Sequence, residues 1–228
     1  MLAAYSEQGS AMNDQPNEKL IQAKQNIAAK HIAAGRGTGN ETASRDRLPP
    51  GQKLVTNDWP VLDLGLRPDV PTHLWQLKVF GMGDERVFGW DDFNALPQTK
   101  LVTDFHCVTT WSIYDAQITG VLWADFLKHI TVPPQATHVM FHSYDGYTTN
   151  LPLSELALPD VAIIHSFGGK PLTREHGGPV RMWVPHLYAW KSAKWLRGIE
   201  FMPKDKRGFW EVRGYHNHGD PWKEERHG

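Results

Sequence analysis

One cysteine, Cys107, stands in a chain of 228 residues. An internal disulfide is therefore impossible, and a structural zinc site built on paired thiolates is excluded with it. No run approaches the ~18 apolar residues that a membrane span needs. The opening MLAAYSEQGSAMNDQPNEKL has no basic segment followed by an apolar stretch, so the chain is expected to be cytoplasmic and free of membrane spans. An excess of either charge is missing too. The 24 Lys+Arg face 25 Asp+Glu, which leaves no electrostatic footprint for nucleic acid or an anionic membrane. No internal repeat and no low-complexity tract is visible.

Tryptophan and histidine are plentiful, at ten and twelve residues. Trp joins a large apolar body to one N–H donor, so this many suggests either thick packing around a polar, cofactor-sized feature or a Trp-rich core. Residues 1–50 are expected to form an N-terminal arm, flexible or partly helical, ahead of a domain at 51–228. Within the arm, Glu18–Ala34 is rich in helix formers and ends at Gly35, while 35–50 carries almost nothing to bury. Strands are predicted at His73–Phe80, Lys100–Asp104, Val139–His142 and Val180–Val184, with 161–167 a buried strand or one helical turn. Apolar spacing predicts helices over Val121–Ile130 and Tyr188–Trp195. Short strands, few helices, sixteen Pro and twenty Gly indicate an α+β fold with mixed, irregular sheets.

Cys107 lies in TDFHCVTTWS. A free cysteine is ordinarily a small buried hydrophobe. Two chemical uses compete with that reading: a soft thiolate ligand for a thiophilic metal, or a nucleophile paired with a general base.

Four segments in order, FHCVTTWS, FHSYDGYTTNLPL, GKPLTREHGGPVRMWVPHLYAWKSAKWL and GFWEVRGYH, resemble the molybdopterin-binding domain of the sulfite oxidase family. The resemblance runs from about Thr56 to Trp222. It implies a sulfite oxidase-type molybdopterin-binding fold, a molybdenum-molybdopterin cofactor and Cys107 as the thiolate on the metal. It also implies cofactor contacts from Asn57, Asp58, Ser143, Asp145, His176, Arg181, Ser192, Ala193 and Lys194. Tyr215 matches the tyrosine beside the metal's oxo group, with Arg213 close enough to assist it. Gly177, Gly178 and Pro179 form a turn that brings backbone near the ligand.

The resemblance is incomplete. Sulfite oxidases carry an arginine where this chain has Thr56, and the immunoglobulin-like domain that supplies further cations, like the haem domain of animal members, is not found in the sequence. The bacterial methionine-sulfoxide reductase branch resembles this chain in HCV..WS but has Asn in place of His176, and its twin-arginine signal is not found. The expected activity is two-electron oxygen-atom transfer on an S-oxide or N-oxide, favoured over the sulfite oxyanion, with electrons exchanged through a separate partner. Two rivals are weighed against it. One is a Cys/His-dependent or divalent-metal hydrolase using His216, His218 and Asp220 of YHNHGDPW; the other is a non-catalytic binding protein.

Overall fold

The computed structural model describes residues 18–34, 47–56 and 59–228. The expected helix is present as α1 (Glu18–Ala34). The remaining order is β1 (Lys53–Leu54), β2 (Gln76–Gly81), β3 (Arg86–Gly89), α2 (Trp90–Asn94), β4 (Thr99–His106) and β5 (Trp111–Leu122). There follow α3 (Trp123–Phe126), β6 (His138–Ser143), β7 (Thr148–Pro152), α4 (Leu153–Leu156), β8 (Ala162–Phe167), β9 (Lys170–Pro171), β10 (Arg181–Trp183) and β11 (Leu196–Met202).

Two sheets form the scaffold. One joins β1, β5, β8 and β10, with β4 on β5 and β9 on β8; the other runs β3-β2-β11-β6-β7. In the second sheet β2 and β11 pair in parallel while the other neighbours are antiparallel. The class is α+β with mixed sheets, as the composition indicated. The apolar core between the sheets holds Trp75, Val79, Phe88, Phe141, Ile163 and Ile199. A second apolar group surrounds Phe105, Cys107, Trp183, Tyr188 and Tyr215.

Two predicted helices are corrected. Val121 and Leu122 pair with Ile163 and Ala162 of β8, so the predicted helix starts at Trp123 and gives way to a 3-10 turn at Leu127–His129. Over Tyr188–Trp195 only Ala189–Lys191 turns, as one 3-10 unit. The Ser192 hydroxyl accepts the Val184 N–H there, and Trp195 takes a left-handed φ of 46°, which a helix cannot accommodate. The first predicted strand begins at Gln76, because Thr72–Leu74 forms a 3-10 turn after Pro71. The strand predicted at Val180–Val184 narrows to Arg181–Trp183.

α1 has few apolar residues, yet it is docked. Ile21 is buried, and Lys24 pairs with Asp63 at 2.9 Å. Glu18 meets Arg213 at 3.0 Å, and the Gln25 amide donates to the Arg213 carbonyl. Past α1, residues 35–46 of the predicted arm lie outside the described residues. At the arm's far end Arg47 pairs with Asp104 and Asp115, and Pro49 is buried.

Candidate cofactor site

Cys107 opens the tight loop that connects β4 to β5. Its N–H donates to the Trp111 carbonyl at 2.8 Å, the Thr110 N–H returns to the Cys107 carbonyl at 3.1 Å, and Thr110 sits at φ 72°. Burial pushes the thiol up; Thr109, whose hydroxyl lies 3.2 Å from Sγ, acts in the opposite direction together with the charges of Arg226 and Lys194. A thiolate in this place requires a cationic partner.

The thiol faces a cleft enclosing about 880 Å³ of non-atom space, part of it open to solvent. Of the residues predicted to serve the site, Cys107, Ser143, Asp145, Arg181, Ser192, Lys194 and Tyr215 all line it. They arrive from the β4–β5 loop, the end of β6 and the turn after it, β10, the segment after β10, and the segment after Trp210. Five tryptophans, Trp59, Trp111, Trp190, Trp195 and Trp210, supply much of the wall. Large apolar walls with a few convergent polar groups are the usual make-up of a cofactor or ligand site.

A buried cation, Arg181, and a half-buried one, Lys194, dominate the electrostatics. Arg181 donates to the carbonyls of Met182, His176 and Ser192, at 3.3, 3.0 and 2.9 Å. Its guanidinium carbon lies 5.2–5.8 Å from the ring centroids of Trp59, Phe105 and Trp183. Burial brings its pKa down to about 9. Lys194 donates to the carbonyls of Leu62 and Glu175 at 2.6 and 2.7 Å, and burial, then the charge of Arg181, brings it down to about 7. Among the described residues neither cation forms an ion pair with a carboxylate. Buried charge without a counter-ion is costly, so the cleft is built to receive an anion.

Asp145 accepts the Tyr147 N–H at 3.0 Å in a tight turn, and burial pushes its carboxyl up to about 6. The buried Ser143 hydroxyl has no hydrogen-bond partner among the described residues. An unsatisfied hydroxyl, a carboxyl near neutrality and two uncompensated cations match a ligand that is anionic at one end and rich in hydrogen-bonding groups. A pterin carrying a phosphate is such a ligand.

Tyr215 follows a 3-10 turn at Glu211–Arg213 and Gly214 at φ 94°. Its ring packs edge-on to Trp190 and tilted on Trp210, at centroid distances of 5.2 and 5.0 Å. Burial, then the charge of Cys107, pushes its phenol up to about 12.

Other predicted residues fall elsewhere. His176 stacks on Trp59 at 4.1 Å and lends its carbonyl to Arg181, while the Ala193 carbonyl accepts from Met182; both stand behind the wall. Arg213 is turned away from the cleft. Its guanidinium lies 3.8 Å from the Phe209 ring centroid and pairs with Glu18 of α1, so the sequence-based placement of this cation beside the substrate is corrected. Asn57 and Asp58 lie outside the described residues. Gly177 has its predicted turn geometry, at φ 94°, and a Cβ there would meet Lys194 Cβ at 2.7 Å.

The YHNHGDPW segment forms no metal centre: among the described residues no group of three or more His, Cys, Asp or Glu is arranged to hold an ion. The two ring nitrogens of His218 lie instead against Glu225 and Glu155, at 2.7 and 3.2 Å, while His216 Nδ1 accepts backbone N–H groups of His218 and Gly219. Sequence reasoning missed Lys24, Asp63 and the aromatic wall; only the high tryptophan content signalled the last. No described helix is long and apolar enough to cross a membrane.

Comparison with known proteins agrees with this geometry. The oxidoreductase molybdopterin binding domain family matches residues 65–210. The oxidoreductase YuiH of Bacillus subtilis is 41% identical over 195 residues, covering 83% of this chain and 96% of that protein. The protein-methionine-sulfoxide reductase catalytic subunit MsrP of Ralstonia nicotianae is 25% identical over 171 residues, covering 68% of this chain and 50% of that protein. Among solved structures, the sulfane dehydrogenase SoxCD from Paracoccus pantotrophus superposes with a TM-score of 0.55 at 19% identity, over 60% of this chain and 40% of that one. With sulfite oxidases also among its relatives, the chain belongs to the oxidoreductase molybdopterin-binding domain family, that of the sulfite oxidases.

Proposed function

We propose that the protein is a molybdenum-molybdopterin-dependent oxidoreductase performing two-electron oxygen-atom transfer, with reduction of a small S-oxide or N-oxide favoured over oxidation of sulfite. The observation that carries this reading is the convergence of Cys107, Tyr215 and two cations, the buried Arg181 and the half-buried Lys194, on one cleft.

In this reading Arg181 and Lys194 hold the anionic end of the cofactor, while Ser143, Asp145 and Ser192 orient its ring system. The cofactor supplies the oxygen-atom transfer chemistry when bound. Cys107 provides the protein's thiolate to the metal, a soft ligand matched to it. Tyr215, held between two tryptophans, keeps its proton at any physiological pH and so donates a hydrogen bond to a substrate oxygen. The aromatic wall excludes water, which strengthens each of these polar contacts.

The preference for a neutral substrate rests on charge. Thr56 stands where the resemblance to sulfite oxidases implies an arginine, and Arg213 is committed to Glu18. Each anion contact with good geometry is worth on the order of 1.5–3 kcal/mol, so two missing contacts raise the KM for a dianion roughly a hundredfold or more. In this reading electrons are exchanged with a separate protein, as the names of the methionine-sulfoxide reductase relatives, each a subunit, suggest. The single cysteine of this chain cannot by itself ligate an iron–sulfur cluster.

The test is steady-state kinetics of the purified protein with its molybdenum content measured alongside. Sulfite with an artificial acceptor is compared with a neutral sulfoxide and a reduced dye. Stoichiometric molybdenum and faster sulfoxide turnover are expected; a sulfite KM in the low micromolar range overturns the substrate preference, and metal-free protein from a cofactor-replete host overturns the cofactor.

A further inference from the structure

We propose that Gln52 and Arg226 are positioning residues for Cys107: side-chain donors from outside the family-matching span that clamp the loop bearing the thiol. The inference rests on the reading of Cys107 as the protein ligand of the metal. It concerns what keeps that ligand in place.

The loop runs from Cys107 to Thr110, and each of its four carbonyls has a donor. The Cys107 carbonyl takes the Thr110 N–H and, at 3.0 Å, the Gln52 Nε2 amide. The Val108 carbonyl takes Arg226 Nη1 at 2.6 Å. The Thr109 carbonyl is met by the Thr110 hydroxyl, and the Thr110 carbonyl by the Lys53 N–H. Three of these donors are side chains, and the two that come from outside the loop approach from residue 52 and residue 226, on either side of the 65–210 match.

Both donors are themselves fixed. Gln52 is buried, precedes the short β1 that pairs with the start of β5, and accepts the Ser112 hydroxyl on its Oε1 at 3.3 Å. Ser112 Oγ lies 2.8 Å from His106 Nδ1, so a buried polar chain flanks the thiol on that side. Arg226 is 5% exposed, and its guanidinium sits 5.0 Å from the Tyr188 ring centroid. Its own carbonyl accepts the His216 N–H, and its neighbour His227 forms a bridge with Tyr215. One arginine thus ties the loop of Cys107 to the segment of Tyr215.

A loop with a left-handed threonine at its end does not hold a side chain in one place without such support. Ligand geometry depends on groups behind the ligands, whose loss commonly costs ten- to a hundredfold in affinity or activity.

The test uses the full chain with Arg226→Met, Arg226→Lys and Gln52→Met. Hydrogen exchange at the Cys107 and Thr110 amides and the rate of Cys107 alkylation are measured on cofactor-free protein, with the Ile199 amide of β11 as an internal control. Exchange and alkylation at least tenfold faster in the two Met variants, with Ile199 unchanged and partial recovery in Arg226→Lys, support the clamp. Loop exchange and alkylation within twofold of the parent in Gln52→Met and in a folded Arg226 variant overturn it; should Arg226→Met not fold, Gln52→Met and Arg226→Lys decide. In loaded protein the paramagnetic signal of the one-electron-reduced metal should broaden and kcat fall with KM unchanged. Absence of molybdenum from the parent protein would count against the cofactor reading alone, because the exchange and alkylation measurements need no metal.

Discussion

The ammonium of Lys191 and the carboxylate of Glu211 meet at 2.7 Å with neither side chain exposed to solvent. The pair joins the segment carrying Ser192 and Lys194 to the turn that leads to Tyr215. Thr149 and Trp190 donate to the same Glu211 oxygen, and Lys191 also donates to the Asn150 carbonyl. Removing one partner leaves the other charged and buried, so Glu211→Leu and Lys191→Met should each destabilise the fold by ~3–5 kcal/mol. The double variant should recover a large part of that loss. Denaturant unfolding of the three variants checks it; equal and additive losses would show that the pair does not act as a unit.

Arg181→Lys keeps the charge and loses the fork. Three carbonyls now share one guanidinium, and a lysine ammonium cannot reach all three in the same plane. Retention of the pterin should fall at least tenfold, with a stability loss of ~1–3 kcal/mol from the unsatisfied carbonyls. Cofactor content after gel filtration, on protein made with ample cofactor supply, measures the first effect. Equal occupancy in variant and parent contradicts the assignment.

Cys107→Ser changes one atom in a packed loop. Because the serine hydroxyl is nearly the same shape as the thiol, the melting temperature should stay close to the parent's. Turnover should be abolished, since a hard oxygen ligand alters the electronics of a metal that favours soft donors. Full activity in the metal-loaded variant would remove Cys107 from the centre.

Asp145 gives the cofactor-free protein a distinctive pH dependence. Its carboxyl has a pKa of about 6 in the fold against an ordinary 3.8. Below pH 3.8 the group is protonated in both states and costs nothing. Between the two values the folded state binds the proton more tightly than the unfolded chain, and above pH 6 the fold carries the whole cost of burying the anion. This contribution to stability therefore falls as pH rises from about 4 to 6, by ~3 kcal/mol. Asp145→Asn should abolish that part of the slope, so the gap between variant and parent widens in the variant's favour up to pH 7. A constant gap across that range, measured by denaturant unfolding, refutes the shift.

Legibility in the sequence followed the length scale of each feature. Short runs of β-branched and aromatic residues marked β2, β4, β6 and β10, while the apolar run at 161–167 left open a strand or a helical turn and is the strand β8. β5, at twelve residues the longest strand among the described residues, escaped because Asp115 and Gln117 interrupt its pattern and Gly120 reads as a breaker. That glycine is required: a Cβ at 120 would meet the Ile163 carbonyl at 2.2 Å. Motifs around Cys107, Asp145, Arg181 and Tyr215 found the residues that line the cleft, because their chemistry is local. The partners that satisfy them are not local. Gln52, Lys24 and Arg226 belong to no motif, and only the folded chain brings them to the site. Arg213 shows the converse, a residue two positions before Tyr215 in sequence whose side chain leaves in another direction.

The docking of α1 bears on how fast the cleft exchanges its contents. Lys24 lines the cleft and is tethered to Asp63, which lines it too, with Ile21 as the buried apolar anchor. Asp63 stays ionised down to about pH 2, because the hydrogen bonds from Lys24, Arg67 and the Gly65 N–H together outweigh the upward push of burial. The described ion pairs of this helix are partly exposed side-chain contacts, of the kind that open locally at lower free energy than paired sheet strands. In the cofactor-bound form proposed above, opening of this helix would withdraw Lys24 from the lining of the cleft. Loss of cofactor should accelerate with salt, which weakens the partly exposed ion pairs at Glu18 and Lys24, while the buried contacts of Arg181 remain unchanged.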